Sequence, residues 1–483
     1  MASFKTDESF LEKISIGAIG TQRVFEVLRQ LGHQPIELER GSMNYKIWKK
    51  IKIKRIRVPD ILCVDNGIRI ESRAKSKFEI SMSHSTSDPD RGWDFGMKDN
   101  DFVAFIGCSK AGSRPIDWLP DRIVQFILIK DLKKCVVKKE IVITKPKGTQ
   151  EGSEIRIIWP VGLASADGAI TEITKTSVKY KTTAGRTNFV CLTKGGKTLI
   201  PLVKVGDKVV PNQILASVVK AQQNIPTVKV NADFFLGNLS SLILSERYAA
   251  TKALSYFNNK KVITALKAKL TDSEEHIYVR LEAAASLSRF GIEDGYNFIE
   301  TCLKDQYLQN VLESVIILNE IKTDRACKML CKILLDDNYH PEIRAGAAWG
   351  LGEQQNKSAL AAVVTSFNSV DESIKVEAAR ALAKLTKHFS NDILQKFEKA
   401  TPTEKPGIAW ALTKSASLNL DQLLSNLKDL DSRHWVSFII GTHGEERYIA
   451  EIEKLKKKDL EVYFAVTLLW KIMTSWIHEL KEY

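Results

Sequence analysis

The 483-residue sequence has no CxxC pair and no regular cysteine spacing. Its seven cysteines, at 63, 108, 135, 191, 302, 327 and 331, stand apart. An odd, scattered set argues against a structural zinc and suggests reduced thiols in a cytoplasmic setting. Cys327 and Cys331 lie four apart on a helical pattern, where core packing is the ordinary reading. No apolar run is long enough to span a bilayer. The opening MASFKTDESF lacks the basic-then-apolar pattern of a secretion signal, so no membrane association is expected. HExxH and GxxxxGK[ST] are both missing, which disfavours a zinc protease and a P-loop NTPase.

What the chain does have is positive charge in one half. Residues 1–250 hold 40 Lys and Arg against 26 Asp and Glu; residues 251–483 hold 31 against 32. The net +13 therefore lies wholly in the first half, and a polyanion is the natural partner there. The excess is densest in KIWKKIKIKRIRVPD. Lys46, Lys49, Lys50, Lys52, Lys54, Arg55 and Arg57 put seven cations in twelve residues, interleaved with isoleucines and Trp48. An ordered amphipathic element with a strip of phosphate contacts is expected; a solvated charged face is the alternative.

That strip runs into VPDILCVDNGIRIESRAKSK, residues 58–77. Ile61–Val64 is a short apolar run, and Asp65-Asn66-Gly67 is a turn. From Ile68 the chain alternates. Ile68, Ile70 and Ala74 fall on one parity, and Arg69, Glu71, Arg73 and Lys75 on the other, as in a half-buried strand. A two-residue Asn66-Gly67 loop would make paired numbers sum to 133, with Asp60 opposite Arg73 and Glu71 and Lys75 diagonal to it. Two carboxylates and a cation then converge, as a Mg²⁺-dependent phosphodiester cleavage site needs. A three-residue loop would turn Asp60 to the wrong face.

At these residues the chain resembles the restriction-endonuclease-like nuclease superfamily, whose signature is Pro-Asp, a hairpin, then (Asp/Glu)-x-Lys. Here that is Pro59-Asp60, ten residues, then Glu71-Ser72-Arg73. The resemblance implies that Asp60 and Glu71 hold Mg²⁺ or Mn²⁺. Arg73 departs from the expected lysine, and arginine is a poor general base; Lys75, on the same face, is the substitute. The family order also implies a helix before the hairpin, read here over residues 8–31 as one helix or two broken near Gly17 and Gly20, and a core strand after it, read at 102–107. Glu26 on that helix is a candidate further acid, and His84 a candidate assistant.

Residues 153–232 alternate short strand-like runs with Gly and Thr. PLVKVGDKVVPNQILA, with DGAITEIT upstream, resembles the barrel-sandwich hybrid module of the RNA polymerase β subunit and, more distantly, biotinyl and lipoyl domains. No lysine stands in the hairpin-tip context of a cofactor-carrying domain, so a packing or docking module is expected.

From about 238 the sequence repeats. SERYAATKAL, YVRLEAAASL, NVLESVIIL, IRAGAAWGL, IKVEAARAL, EKPGIAWAL and SRHWVSFII align with markers at 247, 280, 311, 344, 375, 405 and 433. A cation usually starts each copy, small residues follow, and an apolar residue lies seven on. This is the period of a helical solenoid, with EVYFAVTLLW as an eighth, capping copy. The pattern resembles short HEAT-like repeats, of the type also seen in phycobilisome lyases. Trp349, Trp410, Trp435 and Trp470 are expected to pack. Arg247, Arg280, Arg344 and Arg433 are expected to pair with acids between repeats.

The expected architecture is thus multidomain. Residues 1–145 form an α/β endonuclease-like nucleic-acid-binding domain, 150–235 a small all-β barrel-sandwich-like domain, and 238–483 a HEAT-like α-solenoid. The expected function is hydrolysis of DNA or RNA phosphodiester bonds, with a protein partner on the solenoid; by fold-level analogy this suits genome defence. The alternative is an inactive nucleic-acid-binding scaffold. A helical-repeat base-excision or lyase enzyme would need a catalytic acid on the solenoid's concave face, and none stands out.

Overall fold

A computed structural model of the chain describes residues 7–43, 48, 50–52, 56–145, 154–416, 418–443 and 446–468. The N-terminal region is strand-rich and the C-terminal region helical. Two compact units result: Met1–Ile47 with Arg55–Ala265, and Trp48–Lys54 with Leu266–Tyr483. The first two expected domains fall in one unit, and its boundary with the second lies at 265.

In the first unit, α1 (Asp7–Gln30) is one helix. It ends where Gly32, at φ +86°, turns the chain so that the His33 N–H donates to the Leu28 carbonyl at 3.0 Å. Neither Gly17 nor Gly20 breaks it. Gly20 instead permits close packing, since a Cβ there would stand 2.4 Å from the Ala74 Cβ.

Three strands follow: β1 (Pro35–Glu37), β2 (Ile61–Cys63) and β3 (Arg69–Lys75). They form an antiparallel meander. The chain then leaves this sheet for β4 (Ile80–Ser85) and returns through β5 (Phe102–Lys110), which lies parallel to β3 along its length. β6 (Trp118–Pro120) and β7 (Gln125–Leu128) both pair antiparallel with β5. Val24, Leu28, Ile61, Ile70, Ala104 and Phe126 form the apolar cluster between α1 and this sheet.

After α2 (Ile129–Val137), β8 (Val142–Thr144) and β9 (Glu154–Trp159) complete the sheet started by β4, in the order β4-β9-β8. β9, expected to open the middle β domain, pairs with β4 over all six residues. The remaining β elements are β10 (Val161–Leu163), β11 (Gly168–Ile173), β12 (Ser177–Thr182), β13 (Thr187–Cys191) and several two- to four-residue strands. The Val205-Gly206-Asp207 turn is made as the sequence suggests. Gly206 sits at φ +91°, and Asp207 accepts from the Lys204 N–H at 2.7 Å. Trp159, Tyr180, Ile214 and Met82 belong to a single cluster, so β4 and the middle strands share one core.

The helices α3 (Ala232–Asn238), α4 (Leu244–Ala253) and α5 (Lys260–Thr271) lead into the second unit. There follow α6 (Ile277–Arg289), α7 (Glu293–Cys302), α8 (Leu308–Ile321), α9 (Asp324–Leu335), α10 (Pro341–Gln354), α11 (Leu360–Thr365) and α12 (Glu372–Glu398). Last are α13 (Lys405–Leu412), α14 (Leu420–Ser425), α15 (Leu430–His443) and α16 (Glu446–Lys458). Every marker position of the repeat falls on α4, α6, α8, α10, α12, α13 or α15. α12 spans a marker helix and its partner, joined at a kink where Phe389 leaves helical geometry at φ −131°, ψ 30°. Residues 460–468 of the eighth copy are helical; Trp470 lies outside the described residues.

The small residues set helix spacing. A Cβ on Gly352 would meet the Ala381 backbone at 2.7 Å. Of the repeated arginines, Arg344 pairs with an acid as expected, Asp337, and three of them also reach backbone through Nε. Arg280 Nε donates to the Leu270 carbonyl at 3.0 Å, Arg344 to Leu334 at 2.9 Å and Arg433 to Leu427 at 3.1 Å. Each satisfies a carbonyl at or near the end of the preceding helix, so the repeated cation is a capping device.

Candidate active site

The hairpin forms, but with a different loop. The pairs Ile61 with Ile70 and Leu62 with Arg69 sum to 131, not 133. The Cys63 N–H donates to the Ile68 carbonyl at 2.9 Å, and the loop is Val64–Gly67. Asp65 is drawn out of the pairing because its carboxylate accepts from the Gln34 N–H at 2.8 Å and lies 2.9 Å from His33 Nδ1. A shift of two preserves the face. Asp60 stays on the side of Glu71 and Arg73, but now across from Glu71.

Asp60 is held from both neighbours. Its carbonyl accepts from the Leu38 and Glu39 N–H groups at 2.7 and 3.3 Å. Its Oδ2 accepts from the Ser72 N–H at 2.7 Å. Asp60 and Glu71 are both buried. Burial raises the Asp60 pKa well above the usual carboxylate range, and the Glu71 and Glu39 charges add to this. Arg73 and the Ser72 N–H oppose it. Arg73 Nη2 lies 2.6 Å from Glu71 Oε1, and this carboxylate is the largest cause of a further rise in the Arg73 pKa. Arg73 is a fixed cation and not a base.

Lys75 sits one step along β3. Burial lowers its pKa to about 8; Arg156 and Arg73 push the same way, and Glu79 opposes them. The charges acting on Lys75 are therefore not those of Asp60 and Glu71. Lys75 and Arg73 open onto a cavity of about 260 Å³, also lined by Arg57, Arg91, Glu154 and β4 residues including His84. The His84 ring accepts from the Trp93 N–H at 3.4 Å.

Glu39 is the acid that sequence reading missed as a site residue. Its signal was position, at the end of a β1 run that must lie beside β2. Glu26 stands apart on α1, paired with Arg23 at 3.1 Å and largely exposed. Among the described residues no group of three or more His, Cys, Asp or Glu side chains is gathered as a metal cage. No helix among them is long and apolar enough to cross a membrane.

The basic strip divides. Lys46, Lys49, Lys54 and Arg55 lie outside the described residues. The rest of 48–58 that is described carries no regular strand or helix, in place of the expected amphipathic element. Arg57 lines the cavity. Lys50 and Lys52 are exposed and belong to the helical unit. There the Lys50 and Ile51 N–H groups donate to the Glu342 carboxylate at 2.9 and 2.5 Å. Trp48 meets Trp349 edge-on at 6.0 Å.

No family model and no curated protein matches the chain. Solved structures do. Human deoxyhypusine hydroxylase in complex with glycerol is 14% identical, over 46% of this chain and 86% of that one, with a TM-score of 0.21. The CpcE–CpcF complex of the phycocyanin lyase from Nostoc sp. PCC7120 is 18% identical, over 51% and 96%, at 0.25. An engineered protein is 17% identical, over 51% and 98%, at 0.22. Likenesses at these TM-scores carry no argument about function.

Proposed function

We propose that the chain is a metal-dependent nuclease hydrolysing phosphodiester bonds of DNA, or of RNA. In this reading the endonuclease-like sheet carries the chemistry, the barrel-sandwich-like segment is a packing or docking module, and a HEAT-like solenoid serves as a partner- or substrate-sensing platform. The observation that carries it is the convergence of buried Asp60 and Glu71 with half-exposed Arg73 on one strand face, beside a cavity lined by cations.

The donor set fits a hard divalent cation. Asp60 is buried among like charges that raise its pKa, a penalty that a bound Mg²⁺ or Mn²⁺ would remove. Asp60 and Glu71 would hold it. When bound, the metal supplies a water of lowered pKa and neutralises charge on the phosphoryl oxygens. The chain's own residues do the rest. The Ser72 N–H fixes one Asp60 oxygen. Arg73 orients Glu71 and offsets charge on the scissile phosphate. Lys75, partly neutral near pH 8, positions phosphate or water from the cavity side.

A second reading is favoured by one contact. The Arg73–Glu71 ion pair occupies a carboxylate that a metal would need, as in a nucleic-acid-binding scaffold without activity. A cleavage assay with Mg²⁺ or Mn²⁺ on several nucleic acids separates the two. Wild type is compared with Asp60→Ala, Glu71→Ala, Lys75→Ala and Arg73→Lys. The nuclease reading expects cutting by wild type, its loss in the alanine variants, and retained or faster cutting by Arg73→Lys. Binding without cutting, equal in all variants, establishes the scaffold. Cleavage that survives Glu71→Ala moves the site elsewhere.

A further inference from the structure

The cavity beside Asp60 and Glu71 concentrates more positive charge than one internal phosphodiester calls for. Arg57, Arg73, Lys75 and Arg91 line about 260 Å³, and Glu154 is the one acid among the described lining residues. Arg91 pairs with Glu154, and Arg73 is shared with Glu71. Arg57 is steadied from outside: its guanidinium donates to the Asp90 carbonyl and stands 5.8 Å from the Phe95 ring centre. The wall of β4 adds serine hydroxyls, which donate to an anion without adding charge.

An internal phosphodiester carries one negative charge, and its neighbours along a strand share the remaining cations. A terminal phosphate monoester carries about −1.5 to −2 near neutral pH and offers three acceptor oxygens at one point. Four cations around one small cavity, two of them shared with the Glu154 and Glu71 carboxylates, match the second kind of group.

We propose that this cavity binds the terminal phosphate of a nucleic acid strand, so that the chain engages strand ends. The inference rests on the nucleic-acid reading above and names its substrate class. The same chemistry occurs at a 5′ end, at a 3′ end and in free phosphate, and the test separates them.

The experiment measures binding of the full-length chain in EDTA. Single strands of one sequence carry a 5′-phosphate, a 3′-phosphate or hydroxyls at both ends, and a circular strand serves as the endless control. The expected result is about tenfold tighter binding of one phosphorylated form, with the circle matching the hydroxyl-ended strand. Inorganic phosphate should erase that difference. Arg91→Ala should abolish it too. So should Ser83→Asp, which adds a carboxylate at an exposed position of the same wall and tests the idea without removing a structural arginine. Equal binding of every strand, or a preference that survives both variants with unchanged circular dichroism, overturns the proposal. A preference confined to free phosphate overturns it as well. Because no metal is present, end preference without cleavage in the separate assay defeats only the nuclease reading. Cleavage without end preference defeats only this one.

Discussion

The sheet unit and the helical unit distribute their buried charge differently. The first buries charge. Arg69 and Asp101 face each other at 2.5 Å with almost no exposure, and Asp60 and Glu71 lie beneath the surface a few residues away. The second buries Ala and Gly on successive helices and buries charge as well: Glu282, Glu313, Glu377, Arg344 and Lys405 are all buried, spread over several helices. Buried charges are costly unless paired, and in the sheet unit Asp60, Arg69, Glu71 and Asp101 gather on and around β3. In the helical unit they are dispersed among small residues that hold the helices at a fixed spacing. The contrast is between charge gathered at one place and charge spread along a repeat.

Four tests probe that difference. The largest effect should be on cleavage. Asp60→Ala or Glu71→Ala should lower the rate on the order of 10³-fold or more in a Mg²⁺ assay, while Glu353→Ala on α10 leaves it within about twofold. Comparable losses at both places would dissolve the distinction.

Next in size is Arg69→Ala, which strands Asp101 in the core. A cost of about 3–5 kcal/mol is expected in urea unfolding of the full chain. A cost under about 1 kcal/mol would show that water reaches the pair.

Gly352→Val should destabilise the helical unit by about 1–3 kcal/mol, because the added carbons meet the Ala381 backbone. Its effect should appear in the helical unfolding signal and leave nucleic-acid binding unchanged.

The smallest effect has the opposite sign. Burial and neighbouring carboxylates raise the Asp60 pKa in the folded chain. The native state therefore keeps a proton that the unfolded chain has released, and stability from this group is full below the unfolded pKa. It is lost as pH rises through the folded value. Asp60→Asn has no such proton to lose. Without metal it should melt higher than wild type at pH 7, by about 2–4 °C for each kcal/mol relieved, with the gap closing towards about pH 3. A mutant that melts lower at pH 7 would mean Asp60 is stabilised as an anion.

Much of this was visible in the sequence, for physical reasons that differ by element. The helical markers at 280, 311, 344 and 375 were legible because a repeat states the same local rule many times. The strands β3 and β5 were legible because alternation and a buried apolar run are local patterns. The loop length was not, because it depends on Asp65 reaching His33 and Gln34, partners thirty residues away. The pairing of β9 with β4 was not legible for the same reason: it is a long-range choice that its own six residues do not encode. At the site, parity alone put Asp60, Glu71 and Arg73 on one face. Glu39 and the cavity wall from β4 come from other strands, and only tertiary structure brings them near.

Trp48 has a further consequence. Gly346 on α10 leaves a space in which a Cβ would stand 3.3 Å from the Trp48 ring. The residue filling it is encoded roughly 300 positions earlier. The chain thus visits the helical unit briefly, returns to the sheet unit, and comes back for good after Ala265. A fragment beginning at residue 266 would carry the seat without its occupant, and one ending at 265 would carry the occupant without its seat. During synthesis Trp48 is made long before α10, the helix that seats it, emerges. A single proteolytic cut at 265 would likewise leave the two pieces associated through Trp48 and the Glu342 contacts, so limited proteolysis followed by native gel separation should show one band where denaturing conditions show two.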